Sequence, residues 1–144
     1  MRKRTLSREI ALKVLYADEI TKEGFEEALR KYWQNTGEKE ESVRDFAEFL
    51  VLGVASKKDE LDSVISKYAD NWELDRMATI DRNILRIASF ELLHSNQVPP
   101  KVAINEAIEM AKKFGDKDSG KFVNGILDKI SKSDERESSS RGKE

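Results

Sequence analysis

The chain of 144 residues has no cysteine, a single histidine, two prolines that stand side by side, and no long apolar run. Without cysteine there are no disulfides, thiolate metal sites or cysteine nucleophiles. The one histidine, His94, closes an apolar helical pattern, a position that suits a helix-terminal or partly buried imidazole better than a catalytic base. Glu91 and His94 have the Glu-x-x-His spacing of carboxylate-bridged di-iron bundles, but that centre needs a second copy, which one histidine cannot supply. Phosphate-binding glycine loops, the dinucleotide fingerprint and the nucleophile elbow are also missing. No window approaches the roughly 20 apolar residues of a membrane span, and the basic amino end lacks the apolar segment of a signal peptide. The expectation is a soluble cytoplasmic protein with no catalytic residues, metal or cofactor.

Strand signals are missing too, since no run alternates apolar and polar residues. What the chain has instead is helical spacing nearly throughout. Leu6, Ile10, Val14 and Ala17 form a first stripe, with Thr5 or Ser7 as its cap. Phe25, Ala28, Leu29, Tyr32 and Trp33 form a second, after Gly24. Val43, Phe46, Ala47, Leu50 and Val54 form a third, in which Gly53 costs up to about 1 kcal/mol relative to alanine and points to close helix packing. Leu61, Val64, Ile65 and Tyr68 mark a fourth helix, ended by Asp70 and Asn71, and Trp72 is placed to plug the core. The fifth, from Met77 to His94, is apolar over most of its circumference and should be central. Arg86, set within it, needs a buried partner, for which Glu91 and Glu106 are candidates.

Residues 98–130, VPPKVAINEAIEMAKKFGDKDSGKFVNGILDKI, read as two helices and a polar turn. Pro99 and Pro100 open the first, and Gly115 in a left-handed conformation closes it. Asp118 or Ser119 caps the second. The tail from residue 133 carries no apolar side chain and reads as disordered. The fold class is therefore all-α, a single bundle of about seven helices over residues 1–132.

Charge is unevenly spread. Residues 1–13 hold five basic side chains (Arg2, Lys3, Arg4, Arg8, Lys13) against Glu9, a net of +4. Residues 112–132 hold six lysines against Asp116, Asp118 and Asp128, a net of +3. Residues 14–111 hold 12 basic and 20 acidic side chains, a net of −8. Two basic segments at the ends of an acidic chain point to an anionic partner if the fold joins them; solvated surface charge is the plainer reading. Lysines interleaved with Phe114 and Phe122 have the chemistry to hold phosphates while a ring accepts a base, although both rings equally fit the core. Asn124 and Gly125 weaken the last helix, and an asparagine amide can bond a base edge.

Three blocks resemble the NusB family of bacterial transcription antitermination factors. SREIALKVLY is similar to the family's amino-terminal helix, NWELDRMATIDRNILRIASFELL to its Asp-Arg…Leu-Arg-x-Ala helix, and INEAIEMAKKFG with SGKFVNGILDKI to its carboxyl-terminal signature. The arginine cluster is sparser here, with Thr5 and Leu6 where some relatives continue basic residues. The resemblance implies a non-enzymatic factor that recognises single-stranded boxA RNA of ribosomal RNA transcripts. It also implies partnership with NusE, a small-subunit ribosomal protein, within the RNA polymerase antitermination complex. The RNA candidates are Arg2, Lys3, Arg4, Arg8 and Tyr16 at the amino end. At the carboxyl end they are Lys112, Lys113, Lys117, Asp118, Lys121, Phe122 and Asn124. For NusE they are Asp75, Asp81 and Arg82. The alternatives are a helical protein–protein scaffold, possible homodimer formation across the RNA face, and a module of the kind fused to ribosomal RNA cytosine methyltransferases.

Overall fold

The apolar stripes become helices that close around the most apolar of them. The computed structural model describes residues 2–70 and 73–142, with side chains up to Asp134. Among these residues there are six α-helices: α1 (Lys3–Thr21), α2 (Phe25–Thr36), α3 (Glu41–Tyr68), α4 (Thr79–His94), α5 (Pro100–Phe114) and α6 (Ser119–Gly142). A 3-10 turn, Leu74–Arg76, precedes α4. Helix α4 packs against α1, α3, α5 and α6, and Ile84, Leu85, Ile87 and Ala88 are buried among them. Each of the two isoleucines and the leucine contributes about 1.5–3 kcal/mol on leaving water.

Six helices replace the expected seven because the third and fourth stripes belong to one. Between Val54 and Leu61 the chain reads Ala-Ser-Lys-Lys-Asp-Glu, with neither proline nor glycine to break it, and α3 runs straight through. Asp70, at φ 52°, turns the chain after α3; Asn71 and the expected core plug Trp72 lie outside the described residues. Helix α1 starts at Lys3, with Arg2 and not Thr5 or Ser7 as its cap residue. Pro100 stands at the first position of α5, as its fixed φ favours. Helix α6 continues to Gly142, past residue 132 where sequence placed the end of order; SKSDERESSSR contains no helix breaker, and Lys143 and Glu144 lie outside the described residues.

The close approach suspected at Gly53 is real. A β-carbon there would fall on the ring of Phe90 in α4, so the missing side chain lets α3 and α4 meet. Phe90 in turn stacks on His94, which lies 2.9 Å from a Glu60 carboxylate oxygen.

Two ion-pair networks join the helices, the first buried and the second partly so. In the first, Arg8 donates from Nε to Glu91 Oε2 at 2.8 Å and from a terminal nitrogen to Oε1 at 2.7 Å. Both side chains are 1% exposed. Glu106 of α5 lies 3.5 Å from the same guanidinium and accepts a hydrogen bond from Thr5 at 2.7 Å. In the second, Arg86 donates to Asp62 at 2.7 and 3.0 Å and to Glu19 at 2.7 Å. Arg86 therefore does not pair with Glu91 or Glu106. Five residues on an α-helix separate it from Glu91 by roughly 140°, which puts the two on different faces of α4.

Gly53→Ala should lower stability by about 1–3 kcal/mol through overpacking, read as a reduced urea midpoint. Arg8→Ala should cost about 3–5 kcal/mol, because it strands the Glu91 charge in the core; denaturant titration monitored by circular dichroism measures it.

Candidate nucleic-acid interface

The face of α1 that carries Arg2, Thr5 and Glu9 looks across a groove at Val102, Asn105, Glu106, Glu109, Met110 and Lys113 of α5. These positions recur every three or four residues on each helix, so each set forms one stripe. The groove has a volume of about 560 Å³. Val102 and Met110 give it apolar wall; Arg2 and Lys113 give it cationic ends. Its width is set by side-chain bridges: Thr5 to Glu106 at 2.7 Å, and Lys113 Nζ to Glu9 Oε1 at 2.7 Å. Helices α1 and α5 thus run alongside each other in the same direction. Arg2 and Lys113 stand at opposite ends of the groove, and the lysine-bearing end of α5 lies beside Glu9 and Lys13.

At the far end of the groove, Phe114 is flanked by two ammonium groups. Lys113 Nζ sits 5.3 Å and Lys13 Nζ 5.9 Å from the ring centroid, within cation–π range. Tyr16 follows Lys13 by one helical turn and is 40% exposed. A half-buried ring with cations over it, and an exposed phenol one turn along α1 from Lys13, are surfaces on which an unpaired base can stack. Sequence reasoning did not single out Lys13, Val102, Asn105 or Met110. The available signal was helical spacing: Lys13 is three residues from Tyr16 and Met110 three from Lys113, with Asn105 and Val102 eight and eleven residues before Lys113 on the same stripe.

The turn from α5 to α6 presents Lys117, Asp118 and Lys121 to solvent. Hydrogen bonds hold it rigid: Gly115 N–H donates to Ala111 O at 2.9 Å, Asp116 N–H to Ser119 Oγ at 3.0 Å, and Asp118 N–H to Asp116 Oδ1 at 2.8 Å. Gly115 is extended (φ −91°) and not left-handed. It is needed there because a β-carbon would collide with Ser119. Phe122 packs half-buried against the core, Lys112 pairs with Glu109 at 3.6 Å, and Asn124 lines a separate groove with Lys101, Asn105 and Asp128.

Several expected site residues stand elsewhere. Arg8 is inside the protein, its guanidinium filled by Glu91, so no phosphate reaches it. Lys3 pairs with Glu40 at 3.1 Å, on the α3 side. Arg4 donates to Gln97 Oε1 at 3.0 Å and lies 4.5 Å over the Phe46 ring. The trio proposed for the protein partner is not one exposed patch. Asp75 is exposed on the 3-10 turn, but Asp81 is 7% exposed. Arg82 is held by Glu19 at 2.7 Å and the Leu74 carbonyl at 3.1 Å.

Asp81 faces the α5–α6 turn, and its Oδ1 is buried without a hydrogen-bond partner. Burial raises its pKa above the ordinary 3.8; the Ser119 hydroxyl pulls it down, and Asp116 pushes it up again. Because the folded value exceeds the unfolded one, ionisation costs stability as pH rises through the window that begins near 3.8. Asp81→Asn should therefore gain stability relative to the unaltered chain as pH rises from about 3.8, seen as a gap between their urea midpoints that widens until the folded carboxyl is ionised and then stays constant.

The bundle has counterparts among known proteins. A family model described as the NusB family matches residues 5–132. The transcription antitermination protein NusB of Anaeromyxobacter dehalogenans (strain 2CP-1) is 50% identical over 128 residues, 89% of each chain. A structure of T. maritima NusB superposes with a TM-score of 0.83 at 37% identity, covering 92% of both chains. A crystal structure of the antitermination factors NusB and NusE with double-stranded RNA gives a TM-score of 0.84 at 30% identity, covering 92% of this chain and 98% of that one. With the family pattern spanning nearly all of its folded length, the chain belongs to the NusB family.

Proposed function

We propose that this protein is a transcription antitermination factor of the cytoplasm that holds single-stranded boxA RNA of ribosomal RNA transcripts together with NusE. Residues 1–132 form the binding domain, and binding rather than catalysis is its work. The observation that carries the reading is Phe114 between Lys13 and Lys113 at one end of the α1–α5 groove, with Arg2 at the other end and Glu9, Glu106 and Glu109 also in the lining. Lys117 and Lys121 extend it across the next turn, exposed and outside every ion pair among the described residues. Lysine and arginine hold phosphates, and rings read splayed bases. That a solved neighbour is NusB with NusE and RNA supports the same assignment. NusE, as a basic ribosomal protein, fits the acidic middle of the chain near Asp75. From there the complex engages RNA polymerase.

Fluorescence anisotropy with boxA RNA and a scrambled control, with and without NusE and over a range of salt, tests the proposal. Arg2→Ala, Lys117→Ala and Lys121→Ala should each weaken boxA binding and flatten the log–log salt slope by about 0.7, since none of the three holds the fold together. Tyr16→Ala should lower affinity by about 1–3 kcal/mol and leave the slope alone. Equal binding of boxA and scrambled RNA, with NusE present, would reject RNA recognition in favour of a protein-binding scaffold.

A further inference from the structure

Helix α6 contains a glycine that the fold does not need. Gly24 and Gly37 have positive φ. A β-carbon at Gly53 would strike Phe90, and one at Gly115 would strike Ser119. One at Gly120 would sit 3.4 Å from the Lys112 side chain, in a buried position. At Gly125 a β-carbon would meet nothing within 4 Å, and the backbone there is ordinary helix. Gly125 lies on the solvent side of α6, opposite the buried Val123, Leu127 and Ile130. An exposed mid-helix glycine weakens the helix by about the most that any residue other than proline does. A cost with no return inside the chain points to something outside it.

Helical geometry says what. A helical side chain leans toward the amino terminus and covers the turn before its own α-carbon. A side chain at 125 would cover the surface over Lys121 and Phe122, four and three residues back. Lys121 is exposed, Phe122 half-buried, and Asn124 exposed alongside. We propose that Gly125 is a positioning residue for RNA: its missing side chain keeps the surface over Lys121 and Phe122 open, so that a single strand held at Lys121 lies flat on α6.

The inference rests on the RNA reading above and extends the strand's path from the α5–α6 turn along α6. Two lysines here are placed to hold phosphates: Lys117 and Lys121 are exposed and in no ion pair among the described residues, while Lys112 is paired with Glu109 at 3.6 Å. Asp116 accepts from the Asp118 N–H and the Ser119 hydroxyl. Further along, Asp128 and Lys129 are already occupied by Lys132 at 3.0 Å and Asp70 at 2.9 Å.

The test uses the full chain with Gly125→Ala and Gly125→Gln, read by thermal melting, boxA anisotropy and NusE titration. Both variants should melt higher, by about 2–5 °C. Gly125→Gln should bind boxA about tenfold more weakly, the loss of one stacked base, and Gly125→Ala should lose less. NusE binding should not change. Undiminished boxA affinity in Gly125→Gln, with Lys121→Ala weakened, would overturn the role of Gly125 and leave RNA recognition standing. A fall in NusE affinity alone would make this face a protein surface and overturn it too, as would a lower melting point for Gly125→Ala. If the unaltered chain fails to distinguish boxA from scrambled RNA, the RNA reading fails and takes this inference with it.

Discussion

The arrangement of α1, α4 and α5 depends on the fork between Arg8 and Glu91. Both hydrogen bonds of a bidentate pair must form in one geometry, so the pair sets rotation as well as distance between α1 and α4. Glu106 closes on the same guanidinium from α5, and the Phe46 ring of α3 lies 5.3 Å beneath it. One buried cation thereby touches four helices. An apolar replacement of the whole cluster at equal volume would leave stability little changed, since buried ion pairs add little net stability. What the cluster supplies is register: Thr5, Glu9 and Arg2 face α5 because Arg8 faces α4.

The architecture was legible because its signal is periodic. Apolar spacing located every helix, and the most apolar one became the centre, packed on four sides. Continuity was less legible: Ser56 to Glu60 are polar because that stretch of α3 is solvated, and polarity alone does not separate a solvated helix from a loop. The close contact at Gly53 was readable since a glycine inside a helix asks for a reason, and Phe90 supplies it.

Charged residues were harder to place. Arg8 lies off the apolar stripe of α1 and so looks like surface, yet α1 is enclosed on enough sides to bury it. Arg86 did signal a buried ion pair, but a one-dimensional pattern cannot tell which carboxylates meet it: Glu19 and Asp62 do, while Glu91 and Glu106 meet Arg8. Asp81 likewise stands in the first turn of α4, where an acidic residue reads as a solvated complement to the helix dipole, and turns inward toward Ser119. The lysines of the α5–α6 turn were placed well because a short polar turn leaves long side chains nowhere to go but water. The groove itself could not be foreseen, because it is made by two segments about a hundred residues apart.

The bridge between Lys113 and Glu9 gives that groove an unusual relation to salt. Most surface lysines carry a loosely condensed anion from solution, and its departure is what makes binding to a polyanion salt-sensitive. Lys113 carries a fixed one, covalently part of α1 and nearly buried. A phosphate arriving there would exchange with a carboxylate that cannot diffuse away. Occupation of this point of the groove would then cost electrostatic repulsion at Glu9 rather than gain mixing entropy, and the protein would be choosy about where along the strand a phosphate falls.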